Sequence, residues 1–363
     1  MMHREMKQNL PRIGVLGAGQ LALMLAQAGE RLGVEVICAG RPGDCAERVA
    51  PVLAVELDDA AMVRAFAERV DVVTIESENI DAEVLRGLKL FPNAKAVGIA
   101  QDRLVEKTFF ESCGIAVAPF AAVNCAEDLP PAIEKTGLPG ILKTRRRGYD
   151  GKGQARIYRA EDAMAAWQSV GEMPCILEGM VRFDVEVSLL AARDGAGKIV
   201  FWPLIENRHR DGILRRSDAP YVNAKLQALA ESYLRKIMEA LEYVGVLAVE
   251  FFVQGERLIA NEMAPRVHNS GHWTIEGSET SQFENHLRAI AGMELGETAS
   301  RPMVMLNCIG WMPEESETAK FAGLYRHDYG KAARPGRKVG HLTFPAGGTE
   351  AIAEWEKRLA ERG

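Results

Sequence analysis

Over its first hundred residues the chain alternates short apolar runs with segments of helical spacing, and few folds accommodate that pattern. Arg12–Leu16 is an apolar run ending in Gly17-Ala18-Gly19. Gln20–Leu32 then carries apolar residues at helical intervals (Leu21, Met24, Leu25, Ala28, Leu32) and stops at Gly33, a residue suited to a left-handed helix cap. Val34–Ala39, Val52–Val55 and Val70–Ile75 read as further strands, with a helix over Asp59–Glu68. Strands separated by helices mean βαβ units, hence a parallel, doubly wound sheet.

The pattern changes beyond this unit. Gln101–Cys113 reads as a helix leading out. A smaller region follows, with strands predicted at Ala116–Pro119, Gly140–Thr144, Ala155–Tyr158 and Cys175–Glu178 and a helix at Ala160–Ser169. After Val181 the chain is strand-rich: Asp184–Ala192, Ile199–Ile205, Val246–Val253 and Arg257–Ala264, with a long helix over Lys225–Leu241. The tail adds a helix at Gln282–Ile290, a strand at Val304–Gly310 and a helix at Glu350–Ala360. No internal repeat or low-complexity linker is present. The expectation is α/β and α+β structure in three domains, 1–102, 103–180 and 181–363, the last a mixed sheet.

Composition excludes several classes. Of 363 residues 47% are apolar, enough for a core in each domain, so disorder, collagen and a disulfide scaffold are ruled out. The formal charge of −6 argues against nucleic acid as a partner. No apolar run reaches membrane-spanning length, and Met1–Pro11 has no apolar signal region. The six cysteines form no C-x-x-C pair and read as reduced thiols. A cytoplasmic protein without a membrane partner is expected.

Gly17-Ala18-Gly19-Gln20-Leu21-Ala22 has Gly-x-Gly-x-x-Ala spacing, a strand–turn–helix element offering backbone N–H groups to phosphate or another polar group. A nicotinamide dinucleotide would also call for an acid ending the second strand, where Cys38-Ala39-Gly40-Arg41 has none. A tight turn serving only helix–sheet packing is the alternative. Glu76 and Glu78 end the fourth strand, at the edge where open α/β sheets bind ligands. Either they face a ligand, Glu76 foremost, or they cap a helix starting near Asp81.

The segment Lys143-Thr144-Arg145-Arg146-Arg147-Gly148-Tyr149-Asp150-Gly151-Lys152-Gly153-Gln154 is more informative. Its glycines permit close backbone approach to a polyphosphate that its lysines neutralise, although the residue order is not that of a Walker loop. A solvated hairpin tip is the alternative. Asp150, among cations, stays ionised, as a base or as an arginine's partner. In the hairpin spanning Leu247–Ala264, Glu250 and Glu262 are carboxylates set in apolar strands. A three-residue turn at Gln254–Glu256 pairs Glu250 with Ala260 and puts Glu262 on the same face, a hard oxygen site for Mg²⁺. A two-residue turn pairs Glu250 with Asn261 and sends Glu262 to the other side. His268 and His272 have helical zinc spacing, but Pro265, Asn269 and Gly271 oppose a helix there. Lys331 and Arg334–Lys338 make a cationic turn, either solvated surface or a phosphate clamp.

Together these pieces resemble the ATP-grasp enzymes, and more narrowly the N5-carboxyaminoimidazole ribonucleotide synthetase family of purine biosynthesis. The resemblance rests on Gly17–Leu21, Arg103, Lys143, Gly148–Gln154, Glu206–His209, Asp211–Leu214, Asn261–Trp273 and Arg334–His341, which span nearly the whole chain. It implies an ATP-grasp fold behind a pre-ATP-grasp domain, and a ligase that phosphorylates bicarbonate to carboxyphosphate and carboxylates the exocyclic amine of 5-aminoimidazole ribonucleotide. By resemblance Arg103, Lys143, Glu178, Gly179, Met180, Val181, Glu186, His209, Asn261 and Glu262 hold ATP, with Gly148–Gln154 (Gly148, Tyr149, Asp150, Gly151, Lys152, Gly153, Gln154) as a lid. Glu250 and Glu262 carry Mg²⁺. Asp150 and Arg266 are the catalytic residues, Asp150 as the base. Gln20, Leu21, Glu76, Tyr149, Arg266, His268 and Asn269 line the nucleotide-substrate site, with Lys331 and Arg337 on its phosphate. A homodimer is implied. Ala22-Leu23 stands where the family commonly has Gly-Arg, and Arg147 where a glycine is common. A sister carboxylate–amine ligase would not be expected to carry both the Asn261–Thr274 run and the Arg334–His341 turn.

Overall fold

The structure, a computed structural model, describes residues 10–146 and 153–362. Its first sheet is parallel, in the order β3-β2-β1-β4, from β1 (Ile13–Leu16), β2 (Val36–Gly40), β3 (Val52–Ala54) and β4 (Val72–Ile75). The crossover helices are α1 (Gln20–Leu32) and α2 (Ala60–Ala67). Helix α1 stops where its sequence says: Gly33 takes φ 71° and its N–H reaches the carbonyls of Gly29 and Glu30. Asp59 caps α2 by accepting from the N–H groups of Ala61 and Met62. No helix starts near Asp81. That stretch is a series of turns, and the next helix is α3 (Ala94–Ala100), capped by Asn93. Glu76 and Glu78 therefore cap no following helix. The helix expected over Gln101–Cys113 is α4 (Arg103–Ser112), separated from α3 because the Asp102 side chain accepts from Leu104 and Val105 and starts a new helix.

The second sheet is antiparallel, in the order β5-β8-β6-β7, from β5 (Phe120–Val123), β6 (Gly140–Thr144), β7 (Gln154–Ile157) and β8 (Cys175–Gly179). The strand expected at Ala116–Pro119 is displaced. Pro119 has no N–H for a ladder, so β5 begins one residue later, and the earlier stretch keeps only a bridge from Val117 to Ala260. Helix α5 (Leu129–Thr136) went unread because Pro130 and Pro131 look like breakers. Both occupy its first turn, where a missing N–H costs nothing. Helix α6 (Ala163–Ser169) follows a 3₁₀ turn at Ala160–Asp162.

The third sheet runs β14-β13-β9-β11-β12-β15-β17-β16, with β10 also paired to β9. Its strands are β9 (Val185–Arg193), β10 (Ile199–Phe201), β11 (Ile205–Arg210), β12 (Ile213–Ala219), β13 (Gly245–Gln254), β14 (Arg257–Ala264), β15 (Met303–Ile309), β16 (Tyr325–Asp328) and β17 (Lys338–Pro345). Every ladder is antiparallel, where a mixed sheet was expected. The single strand expected at Ile199–Ile205 is interrupted around Pro203, giving β10 and β11. Helix α7 (Ala224–Ala240) lies between β12 and β13 in sequence, and Thr349–Arg362 closes the chain.

The first and third sheets share one core. Leu25 and Ala28 of α1, Phe283 and Leu287 of the helix Gln282–Ile290, and Val246 of β13 belong to a single buried cluster. Each fully buried side chain of this kind contributes about 2 kcal/mol. A polar pin crosses the same boundary: the Val246 N–H donates to His286 Nδ1 at 3.0 Å, which leaves the ring hydrogen on Nε2 to donate to Thr74 Oγ1 at 2.8 Å. Among the described residues no helix is long and apolar enough to cross a membrane.

Candidate active site

The three sheets meet at a cavity of about 640 Å³. The end of β4 supplies Glu76 and Glu78, the start of α4 Arg103, strand β6 Lys143, and the β13–β14 hairpin Glu250 and Glu262.

The hairpin resolves its register in a way neither turn length alone allows. Gln254 pairs with Arg257, so the turn is the two-residue Gly255-Glu256, and Phe251 pairs with Ala260. The next pair is nevertheless Glu250 with Glu262, because Asn261 is the extra residue of a bulge. Lys107 of α4 holds that bulge, donating to the carbonyls of Asn261 at 2.7 Å and Ala260 at 3.1 Å. The two carboxylates thus share a face. Burial, and then the charge of Glu262, push the Glu250 carboxyl above its ordinary range. Arg103 Nη1 lies 3.2 Å from Glu262 Oε2, and His268 Nε2 lies 3.6 Å from Glu250 Oε1. Two convergent, mutually repelling carboxylates in a polar cavity fit a hard cation of the Mg²⁺ kind.

Cations gather at the β6–β8 side. Glu178 Oε2 lies 3.0 Å from Lys143 Nζ and 3.6 Å from Lys107 Nζ. Burial opposes its charge, but the two lysines win and bring the carboxyl down to about 2. Lys107 itself is 2% exposed, and burial presses its ammonium below the ordinary value. Neighbouring Glu106 accepts from Met263 N–H at 2.7 Å and is pushed upward by burial and then by Glu262. Sequence reasoning missed both residues; two opposite charges set side by side in a helix with an apolar face were the available signal. His209 Nδ1 contacts Glu186 Oε2; burial opposes its protonation, but that bond and the charge of Glu250 raise its pKa.

Gly148, Tyr149, Asp150, Gly151, Lys152 and the Arg147 departure lie outside the described residues. At the flanks of that segment Gln154 pairs with Lys143, and Gly153 takes φ +70°. The two arginines that follow Thr144 are engaged with Asp102. Arg145 grips Asp102 through Nε (3.0 Å) and Nη2 (2.8 Å), and Arg146 Nε lies 3.3 Å away. Gly179 and Met180 donate their N–H groups to the carbonyls of Pro119 and Pro139, leading into Val181.

The Gly-rich turn corrects one expectation. Its N–H groups meet a carboxylate of the protein: Gly19 donates to Glu76 Oε1 at 2.6 Å and Ala22 to Oε2 at 3.0 Å. Glu76 therefore sits at the α1 N-terminus where a phosphate was weighed. Burial raises its pKa, and the two N–H bonds act against that. A Cβ at Gly17 (φ +114°) would come within 2.2 Å of Glu76 Cγ, and one at Gly19 within 2.7 Å of Oε1. The glycines thus answer to Glu76.

Beside this turn the structure brings together Gln20 and Lys331, hydrogen-bonded across 311 positions, while Leu21 lines the cavity. Burial depresses the Lys331 ammonium, and the positive charge of Arg337 adds to the effect. Arg337 donates to the Ala332 carbonyl at 3.2 Å. Arg266 is held by Glu78, Nε to Oε2 at 2.5 Å and Nη2 to Oε1 at 3.0 Å. Glu78 was read only as the companion of Glu76. Burial, then the charge of Arg266, hold His268 well below its ordinary pKa, and its Nδ1 accepts from Ser270 N–H. Asn269 and Asn307 exchange amide bonds at 3.0 and 2.6 Å. Asn307, too, was unread.

Comparison with known proteins gives the family. Residues 10–101 match the ribonucleotide synthetase preATP-grasp domain, 108–283 the ATP-grasp domain, and 303–354 the phosphoribosylaminoimidazole carboxylase C-terminal domain. The chain is 47% identical over 339 residues to the N5-carboxyaminoimidazole ribonucleotide synthase of Pseudomonas aeruginosa, covering 92% of this chain and 94% of that protein. A crystal structure of the Thermus thermophilus synthetase superposes with a TM-score of 0.90 at 50% identity, covering 96% and 98% of the two chains. The Aspergillus clavatus synthase in complex with ADP and 5-aminoimidazole ribonucleotide superposes at 0.88 with 28% identity, over 98% and 100%. The chain belongs to the N5-carboxyaminoimidazole ribonucleotide synthase family of ATP-grasp enzymes.

Proposed function

We propose that this protein is an ATP-dependent ligase that uses bicarbonate to carboxylate the exocyclic amine of 5-aminoimidazole ribonucleotide, giving N5-carboxyaminoimidazole ribonucleotide, ADP and phosphate in purine biosynthesis. The observation that carries the reading is the Glu250–Glu262 pair, which lines one cavity with Lys143, itself held by Glu178, and with Gln20, which meets Lys331. The carboxylate pair suits the metal, and the two lysine neighbourhoods suit the anionic reactants.

A bicarbonate oxygen attacks the γ-phosphorus of ATP and the bond to ADP breaks. Carboxyphosphate then loses phosphate, its carbon passing to the amine nitrogen, which gives up a proton. Lys143, Arg103 and His209 bind and orient the polyphosphate, with Glu178 fixing Lys143 and Glu186 fixing His209. Glu250 and Glu262 would hold Mg²⁺, which when bound neutralises phosphoryl charge, with Asn261 beside them. Arg266 meets the anion derived from bicarbonate; Asp150 takes the amine proton. Lys331 and Arg337 bind the 5′-phosphate, and Gln20, Glu76, Tyr149, His268 and Asn269 the rest of that nucleotide. Val181 and its neighbours in β8, with the glycine-rich segment, complete the ATP site between the parts 103–180 and 181–363. A homodimer in the cytoplasm, acting on small molecules alone, completes the proposal.

Phosphate release from ATP with Mg²⁺ tests it. Turnover that needs bicarbonate and is stimulated by 5-aminoimidazole ribonucleotide is expected; stimulation only by formate with glycinamide ribonucleotide would overturn it.

A further inference from the structure

Arg266 lies two residues past the end of β14, facing three carboxylates. Glu78 binds it directly, and the charges of Glu262 and Glu76 are close enough to act on it as well. Among the described residues it is Glu78 that is placed to hold it. Both oxygens of Glu76 are spent on the N–H groups of Gly19 and Ala22, and Glu262 is met by Arg103. The clamp is bidentate and joins residues 188 positions apart, with side chains 24% and 18% exposed. Of the five guanidinium N–H groups, two point to Glu78, and one on Nη1 goes to the Val267 carbonyl at 3.2 Å. Two have no partner among the described residues, one on each terminal nitrogen, fixed by the planar fork as a pair of donors.

We infer that Glu78 is a positioning residue: it locks the Arg266 guanidinium in one orientation, keeps it from swinging onto Glu262, and presents its two free N–H groups to the anion formed from bicarbonate. A guanidinium released by Glu78 would find Glu262 as the next carboxylate and compete there with the cation. This rests on the ligase reading above.

The test is steady-state phosphate release by Glu78→Gln, Arg266→Lys and the double variant, with bicarbonate, ATP and Mg²⁺ varied in turn. Glu78→Gln should lower kcat/KM for bicarbonate on the order of 100-fold. It should also raise the Mg²⁺ concentration for half-activity severalfold and leave the KM for ATP within about twofold. In the Arg266→Lys background the same substitution should cost little more, because the two act as one unit. Glu78→Asp, which keeps the charge, should recover part of the loss, and it carries the test if Glu78→Gln does not fold. Additive losses, or unchanged bicarbonate and Mg²⁺ responses, overturn the inference while leaving the ligase reading intact. A wild-type protein without bicarbonate-dependent turnover overturns both.

Discussion

Glu250 faces Glu262 directly across the β13–β14 hairpin, although counting outward from its two-residue turn puts them on opposite faces. The bulge at Asn261 buys that alignment, at the cost of setting two like charges side by side. Glu250→Gln should therefore melt no lower than the wild type when Mg²⁺ is absent, because a repulsion is removed. Phosphate release should fall on the order of 100-fold, and added Mg²⁺ should no longer raise the melting temperature. Differential scanning calorimetry with and without Mg²⁺, beside the phosphate assay, reads all three.

Lys107 is the buried post against which that bulge is set. Lys107→Met removes the donor to the Ala260 and Asn261 carbonyls and one of the two lysines facing Glu178. Unfolding in urea should show a loss of roughly 3–5 kcal/mol, the range for breaking a buried charge pair from one side. A loss below about 1 kcal/mol would mean the carbonyls find another donor.

Gly17→Ala should destabilise by about 3 kcal/mol, since the residue needs a positive φ and its Cβ would overlap Glu76. Glu76→Gln offers one acceptor where two N–H groups wait, and should cost roughly 1–3 kcal/mol. Because both substitutions damage one contact, the double variant should be much less destabilised than the sum; equilibrium unfolding of the three proteins measures this.

Acid should weaken the fold through its histidines before its carboxylates. Buried His286 is brought down to about 4 from its ordinary 6.5 by desolvation. The unfolded chain then binds more protons in that window, so stability is full above pH 6.5 and is lost as pH falls toward 4, by about 3 kcal/mol. Burial pulls His272 and His341 the same way, so the measured slope is shared. Glu178, brought down to about 2, adds a second loss below pH 4.5. His286→Gln should start less stable and lose less between pH 6.5 and 4, read as the urea midpoint against pH.

What could be read in advance was local. Helix α1 was legible to the residue because its apolar spacing, its glycine stop and its burial all agree. Strands β11 and β12 were not, since Ile205–Arg210 and Ile213–Ala219 are crowded with charge and show no apolar alternation. What they bury is a polar ladder: Asn207 donates to Ser188 at 2.9 Å and accepts from Ser217 at 2.8 Å. The carboxylates Glu250 and Glu262 stood out because charge is rare in apolar strands, whereas their alignment hung on Lys107, far away in sequence. Glu78 and Asn307 had ordinary surroundings. Their partners, Arg266 and Asn269, lie too distant in the chain for spacing to reveal.

The clamp from Glu78 to Arg266 and the pin from Thr74 to His286 reach across 188 and 212 positions. On a ribosome, at about 5–20 residues per second, the earlier member of each pair waits on the order of 10–40 s for the later one. During that interval the nascent β1–β4 sheet has emerged with α1 still lacking the helix Gln282–Ile290 against which it packs. Its apolar flank is then open to chaperones and to neighbouring chains. A slowed or truncated synthesis between Thr74 and His286 prolongs that exposure, so yield in the cell should depend on the pace of translation through that stretch of the message more than on the stability of the finished protein.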